Sequence, residues 1–173
     1  MAAFDAIDMR SFSNLWFWIV LAVMWSSASH WVIGIPYDLI QRAQRNGGQA
    51  ERDLAVLMAI NARRFVVLQS RSGLWVVGLT CAVLSSLAWL GFGYRIELAQ
   101  AVFLLSFPIS LVALVSLKTA SQARTEVVPS EALYRRFRHH RTFTQGIGIT
   151  AIFVTATWGM YHNLSQFILG GVP

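Results

Sequence analysis

Two apolar runs joined by a three-residue turn decide the fold: GLWVVGLTCAVLSSLAWLGFGY from Gly73 to Tyr94, then Arg95-Ile96-Glu97, then LAQAVFLLSFPISLVALVSL from Leu98 to Leu117. Each run is long enough to cross a bilayer as a helix, which takes about 20 apolar residues. Neither contains Asp, Glu, Lys or Arg. A charge at the centre of such a helix costs at least ~2.5–3.5 kcal/mol, so their absence is informative. The short connection makes the pair a tight helical hairpin.

Two more charge-free runs flank this hairpin, from about Asn14 to Ile35 and from about Gln145 to Leu169. The reading is an all-α polytopic membrane protein. It expects a single membrane domain over residues 1–173, a bundle of four transmembrane helices at about 14–35, 73–94, 98–117 and 145–169. Composition agrees: 55% of the 173 residues are hydrophobic and 13% charged, against about 25% charged in soluble domains. Mean hydropathy is +0.52. Low charge excludes a disordered chain, and the lone Cys81 excludes a disulfide scaffold.

The connections set the orientation. The segment at about 36–72 carries Arg42, Arg45, Arg52, Arg63, Arg64 and Arg71; that at about 118–144 carries Lys118, Arg124, Arg135, Arg136, Arg138 and Arg141. Four spans put both on one side, leaving Arg10 and Arg95 on the other. The positive-inside rule assigns the basic side to the cytoplasm, with both termini on the opposite side. The first span reads as uncleaved. Ser27-Ala28-Ser29 could suit a cleavage site, but Asp5 and Asp8 against Arg10 make a poor signal start, and the apolar run is long. The net charge of +6 then reflects topology and contact with anionic headgroups, so membrane lipids are expected partners and nucleic acid is not. Trp16, Trp18, Trp75 and Tyr94 fall near span ends, as an aromatic belt requires.

The cytoplasmic segments read as helical. Gly34-Ile35-Pro36 ends the first span; Tyr37 to Arg45 forms a short amphipathic helix, stopped by Asn46-Gly47-Gly48. A helix from near Gln49 meets no breaker before Gly73 and could continue into the second span. Leu54, Met58, Asn61, Phe65 and Leu68 form a heptad stripe on it. Ser130 and Glu131 suit a helix start, followed by Leu133, Tyr134 and Phe137 among arginines, and that helix could run into the fourth span. The expectation is a basic amphipathic helical lobe. The stripe either packs within the lobe or docks a partner through Leu54, Met58, Asn61 and Phe65, with Arg135, Arg136 and Arg138 as a charged docking surface.

Chemistry is sparse. His30 and His162 are the histidines inside spans, and their depths differ by roughly 18 Å at the helical rise, so one haem iron cannot join them. His30 reads as bonded to a neighbouring hydroxyl such as Ser26, Ser27 or Ser29, and Cys81 as a packing residue. No metal or cofactor site, catalytic residue, P-loop or Gly-x-Ser-x-Gly elbow is read. Gly91-Phe92-Gly93 reads as a turn, and Pro108 as a kink with Ser106 and Ser110 beside it. Small residues recur every four positions, Ala22, Ser26 and His30 in the first span, and Ala151, Thr155 and Gly159 in the fourth; such faces let helices approach closely.

Three stretches carry a resemblance: Phe4 to Trp18 (FDAIDMRSFSNLWFW), Trp25 to Trp31 (WSSASHW), and Gly146-Ile147-Gly148 with Trp158-Gly159-Met160-Tyr161. The chain resembles a family of uncharacterised inner-membrane proteins of alphaproteobacteria, often labelled as a component of the Suf iron–sulfur assembly complex. The resemblance covers most of the chain and implies no catalytic residues. It implies a membrane partner of the Suf machinery, since this chain carries neither a scaffold's thiolates nor an ATPase's P-loop. The sequence therefore reads as a non-enzymatic accessory or assembly subunit of an inner-membrane complex. The alternative is a small membrane enzyme or a lipid- or small-molecule-binding bundle using His30 or His162.

Overall fold

The computed structural model describes residues 11–123 and 130–169. Asp5, Asp8, Arg10 and Arg124 lie outside the described residues, as do the side chains of Phe65 and Arg71. The described residues are helical almost throughout. A 3-10 turn, Ser11–Ser13, leads into α1, Leu15–His30. A minimal antiparallel hairpin follows, β1 (Trp31–Val32) and β2 (Ile35–Pro36). Then come α2 (Tyr37–Asn46), α3 (Gly48–Ala88), a π-helical turn (Trp89–Gly93), α4 (Glu97–Ala123) and α5 (Glu131–Leu169).

Two helical stretches, Gly73–Gly93 and Glu97–Ser121, are long and apolar enough to cross a membrane. Their apolar side chains largely face outward: Leu74 is 87% and Trp75 83% exposed. The core helix of a soluble protein would hide such residues; these helices present them to their surroundings.

The first helix departs from the sequence expectation. It ends at His30, short of Ile35, because the chain reverses through Ile33 (φ 54°) and Gly34 (φ 73°). Two consecutive left-handed residues make the tight reversal that matches strand twist. Gly34 adopts it freely, whereas Ile33 is β-branched and strained there. Burial holds it: Ile33 is 6% exposed and packs in the core beneath. The Asn61 side-chain N–H donates to the Gly34 carbonyl at 3.2 Å, tying the hairpin tip to α3. The helix itself has 16 residues, about 24 Å at 1.5 Å per residue.

The other helices follow local chemistry. The Asn14 carboxamide caps α1, accepting from the Trp16 N–H at 3.0 Å. Gly47 and Gly48, at φ 59° and 57°, break α2 from α3. The Ser130 hydroxyl accepts from the Leu133 N–H at 3.2 Å and starts α5. Nothing interrupts α3 for 41 residues or α5 for 39, so each is about 60 Å long and continues well past a ~30 Å hydrocarbon layer.

Residues Gly91 to Gly93, expected as an ordinary turn, instead form a wide π-helical turn before the reversal. Arg95 takes the left-handed conformation (φ 59°) that sends the chain back, and the Ile96 N–H closes onto the Leu90 carbonyl at 3.3 Å. Gly91 is required there by space: a Cβ would sit 2.9 Å from the Gln100 backbone nitrogen.

Two cores result. One lies in the helical lobe, where Leu54 and Met58 of α3 meet Leu133, Tyr134 and Phe137 of α5, Ile40 and Ala43 of α2, and the hairpin. The other lies between the apolar helices and contains Leu21, Trp25, Val112 and Ala151. One stripe of α5 serves both. Leu133, Phe137, His140, Thr144, Gly148, Ala151, Thr155 and Gly159 recur every three or four residues and are all buried. The stripe is bulky in the lobe and small beyond it.

Candidate functional site

At the end of the bundle holding the α3–α4 reversal, polar side chains pin three helices together. Gln100 is 4% exposed. Its Nε2 donates to the Gly91 carbonyl at 2.8 Å, and its Oε1 accepts from the Trp158 indole N–H at 2.9 Å. The amide thus joins the end of α3 to α4 and α5. Beside it, Glu97 Oε1 accepts from the Phe12 N–H at 2.8 Å, and its Oε2 lies 3.3 Å from His162 Nε2. The Phe12 ring is buried against Gly159, where an added Cβ would sit 3.2 Å from Phe12 Cδ1.

At the other end, His140 of α5 meets Ser116 of α4. The Ser116 hydroxyl lies 2.8 Å from the Val112 carbonyl and 2.9 Å from His140 Nε2. The hydroxyl has one proton for the Val112 carbonyl or for Nε2, so the direction of the Ser116–His140 bond follows the imidazole tautomer. Burial pushes the His140 pKa below its usual value, which keeps the ring neutral. The pair acts as a pin between α4 and α5. Burial, with Glu51 and Glu131 nearby, raises the pKa of Tyr134 in the same lobe.

Between these ends a groove of about 600 Å³ runs along α4 and α5. Leu104, Phe107 and Leu111 form one wall, and Gly146, Ile147 and Thr150 the other, with Pro108 facing the groove. Pro108 has no N–H to give the Leu104 carbonyl. The Ser110 hydroxyl donates to the Phe107 carbonyl at 2.6 Å beside it. Small residues on α5 opposite a proline on α4 leave the space open.

The lobe's outer surface is basic. Arg42, Arg45, Arg52, Arg63, Arg64, Arg135 and Arg136 are exposed. Arg138 reaches Glu131 at 3.4 Å, and the Arg141 guanidinium lies 4.0 Å over the Tyr37 ring.

The expected site residues separate into three groups. Leu54 and Met58, at 0% and 6% exposure, are consumed by the chain's own lobe core and cannot form a docking surface. Asn61 is occupied by the hairpin tip, while Arg135, Arg136 and Arg138 remain on the outside. Ala151, Thr155 and Gly159 are buried inside the bundle, whereas Ala22, Ser26 and His30 are exposed. The inward face of α1 is Leu21 and Trp25, and Trp25 seats on Gly148, where a Cβ would lie 2.8 Å from its ring. His30 is therefore not bonded into the bundle as expected; the nearby Ser29 hydroxyl donates to the Ser26 carbonyl instead. Cys81 also faces outward. Sequence reasoning missed Gln100, Glu97 and His140 as buried pins. The signal available was a Gln inside an otherwise apolar run.

Among the described residues, no group of three or more His, Cys, Asp or Glu side chains could hold a metal ion. No protein-family model, curated protein or solved structure matches this chain.

Proposed function

We propose that the protein is a four-span accessory or assembly subunit of a bacterial inner-membrane complex, with a basic cytoplasmic lobe that docks its partner. The lobe carries this reading: a closed apolar core wrapped in exposed arginines, attached directly to two apolar helices. The α3–α4 hairpin supplies two spans. The charge-free second half of α5 supplies another, and α1, lengthened by the turn Ser11–Ser13, the fourth. The hairpin that follows α1 packs into the lobe core with Leu54 and Leu133 and so belongs to the lobe side. The arginines then face the cytoplasm and the termini the periplasm.

The docking surface is Arg135, Arg136 and Arg138, without Leu54 and Met58. Its partner presents acidic groups. The Suf iron–sulfur assembly machinery is the candidate, from the resemblance of Phe4 to Trp18, Trp25 to Trp31 and the Gly146 and Trp158 segments to the alphaproteobacterial family. Purification of the tagged full chain in mild detergent, with mass spectrometry, tests this. A stoichiometric partner that is lost when Arg135, Arg136 and Arg138 are changed to Glu supports the reading. Unchanged partner binding by that variant overturns the assignment of the surface.

A second reading has its own observation. The apolar groove between α4 and α5 suits a bundle that holds a lipid or small molecule. Its walls include neither His30 nor His162.

A further inference from the structure

We infer that the α4–α5 groove is a site for one anionic phospholipid of the cytoplasmic leaflet, its acyl chain in the groove and its headgroup against Lys118 and Arg136. The inference rests on the four-span reading with a cytoplasmic lobe.

Length and chemistry select an acyl chain. The groove runs from Thr142 and Phe143 to Val154 and Thr155 along α5, about 20 Å at the helical rise. Antiparallel α4 follows it from Leu111 to Leu104. The walls are almost wholly hydrocarbon, and Phe107, Leu111, Phe143 and Val154 among them are exposed, so the groove is open along one side. Its width comes from Gly146, where an added Cβ would meet nothing.

Charge selects the headgroup. The 3.6-residue period places Lys118 two turns beyond Leu111 on α4, and Arg136 two turns before Phe143 on α5. Both side chains are exposed, and both lie at the lobe end of the groove. His139 stands one turn below Phe143 on the same side. In the proposed orientation this end meets the cytoplasmic headgroup layer. Cations there attract an anionic lipid, while the groove gives that lipid a fixed seat.

The test uses the full chain, delipidated in detergent and titrated with phosphatidylglycerol or phosphatidylcholine of the same acyl chains, with lipid adducts read by native mass spectrometry. Flotation of the same protein with vesicles of each composition reports insertion. We expect a one-to-one phosphatidylglycerol adduct favoured over phosphatidylcholine. K118Q and R136Q should each lower that preference by about fivefold, the value of one cation near an anionic headgroup. G146L fills the groove and should abolish the one-to-one adduct with both lipids while the protein still floats with vesicles. Equal binding of the two lipids, or an adduct unaffected by G146L, overturns the inference alone. Failure of the wild-type chain to float with either vesicle overturns the spanning reading, and this inference with it.

Discussion

The Trp158 indole N–H donates to Gln100 Oε1 at 2.9 Å, and the same amide donates through Nε2 to the Gly91 carbonyl at 2.8 Å. One buried side chain thus ties the turn that ends α3 to α4 and α5. Both ends of the amide are satisfied, so removing either partner leaves a buried polar group exposed to hydrocarbon. Trp158→Phe should destabilise the fold by about 1–3 kcal/mol, and Gln100→Leu by a comparable amount. The double variant should cost less than the sum, because neither polar group is then orphaned. Denaturation of all three variants in detergent checks this; strictly additive losses would show that the bond does not couple the helices.

Gly148 seats Trp25. A Cβ at position 148 would stand 2.8 Å from the Trp25 ring, so Gly148→Ala overpacks the contact between α1 and α5. The expected loss is about 1–3 kcal/mol. Trp25→Leu in the Gly148→Ala background should recover part of it. Gly146→Ala, where a Cβ meets open space, is the control and should stabilise the helix by up to about 1 kcal/mol.

His140 makes lobe stability depend on pH. Its pKa in the folded chain lies below the usual value, because burial disfavours the charged ring. The unfolded chain therefore takes up the proton first. The stabilisation is complete above the unfolded pKa, about 6.5, and is lost as pH falls below it toward the folded value. The melting temperature should drop between pH 7.5 and 5.5, and His140→Gln should flatten that drop. An equal slope in the variant would assign the effect to another group.

Ile33 and Ile35 are both buried, at 6% and 1% exposure, but only Ile33 has a positive φ, 54°. Replacing either by Gly forfeits side-chain burial, about 2–3 kcal/mol. At Ile33 the substitution also relieves left-handed strain of about 1–2 kcal/mol. Ile33→Gly should therefore be the milder variant by roughly that amount; equal losses would mean that the turn carries no strain.

What the sequence revealed follows the range of the interactions involved. The stripe of Leu54 and Met58, and the run of Leu133, Tyr134 and Phe137, are visible because helical spacing is local. That the two cover each other is a tertiary fact, so the stripe also read as a docking surface. Asn46-Gly47-Gly48 and Ser130 act within a turn or so and read directly as a break and a cap. The Ile33–Gly34 reversal does not, because an isoleucine in left-handed conformation runs against its own preference and is held by the core below. Gln100 and Glu97 find partners on other elements, Trp158 and Gly91 for one, Phe12 and His162 for the other. Nothing in their neighbourhoods announces those partners. The small-residue repeat shows the same limit: Ala151, Thr155 and Gly159 turn inward and Ala22 and Ser26 outward, although the spacing is alike.

The proposed topology has four segments crossing the membrane and the lobe in the cytoplasm. Single cysteines in a Cys81→Ser background test it most directly, at the exposed positions Ser13, Gln44, Arg95 and Arg135. Each is treated with a membrane-impermeant maleimide before and after the inner membrane is opened. Ser13→Cys and Arg95→Cys should label from the periplasm, and Gln44→Cys and Arg135→Cys only after opening. Labelling of Ser13→Cys from the same side as Gln44→Cys would overturn the four-span reading, because α1 would then not cross the bilayer.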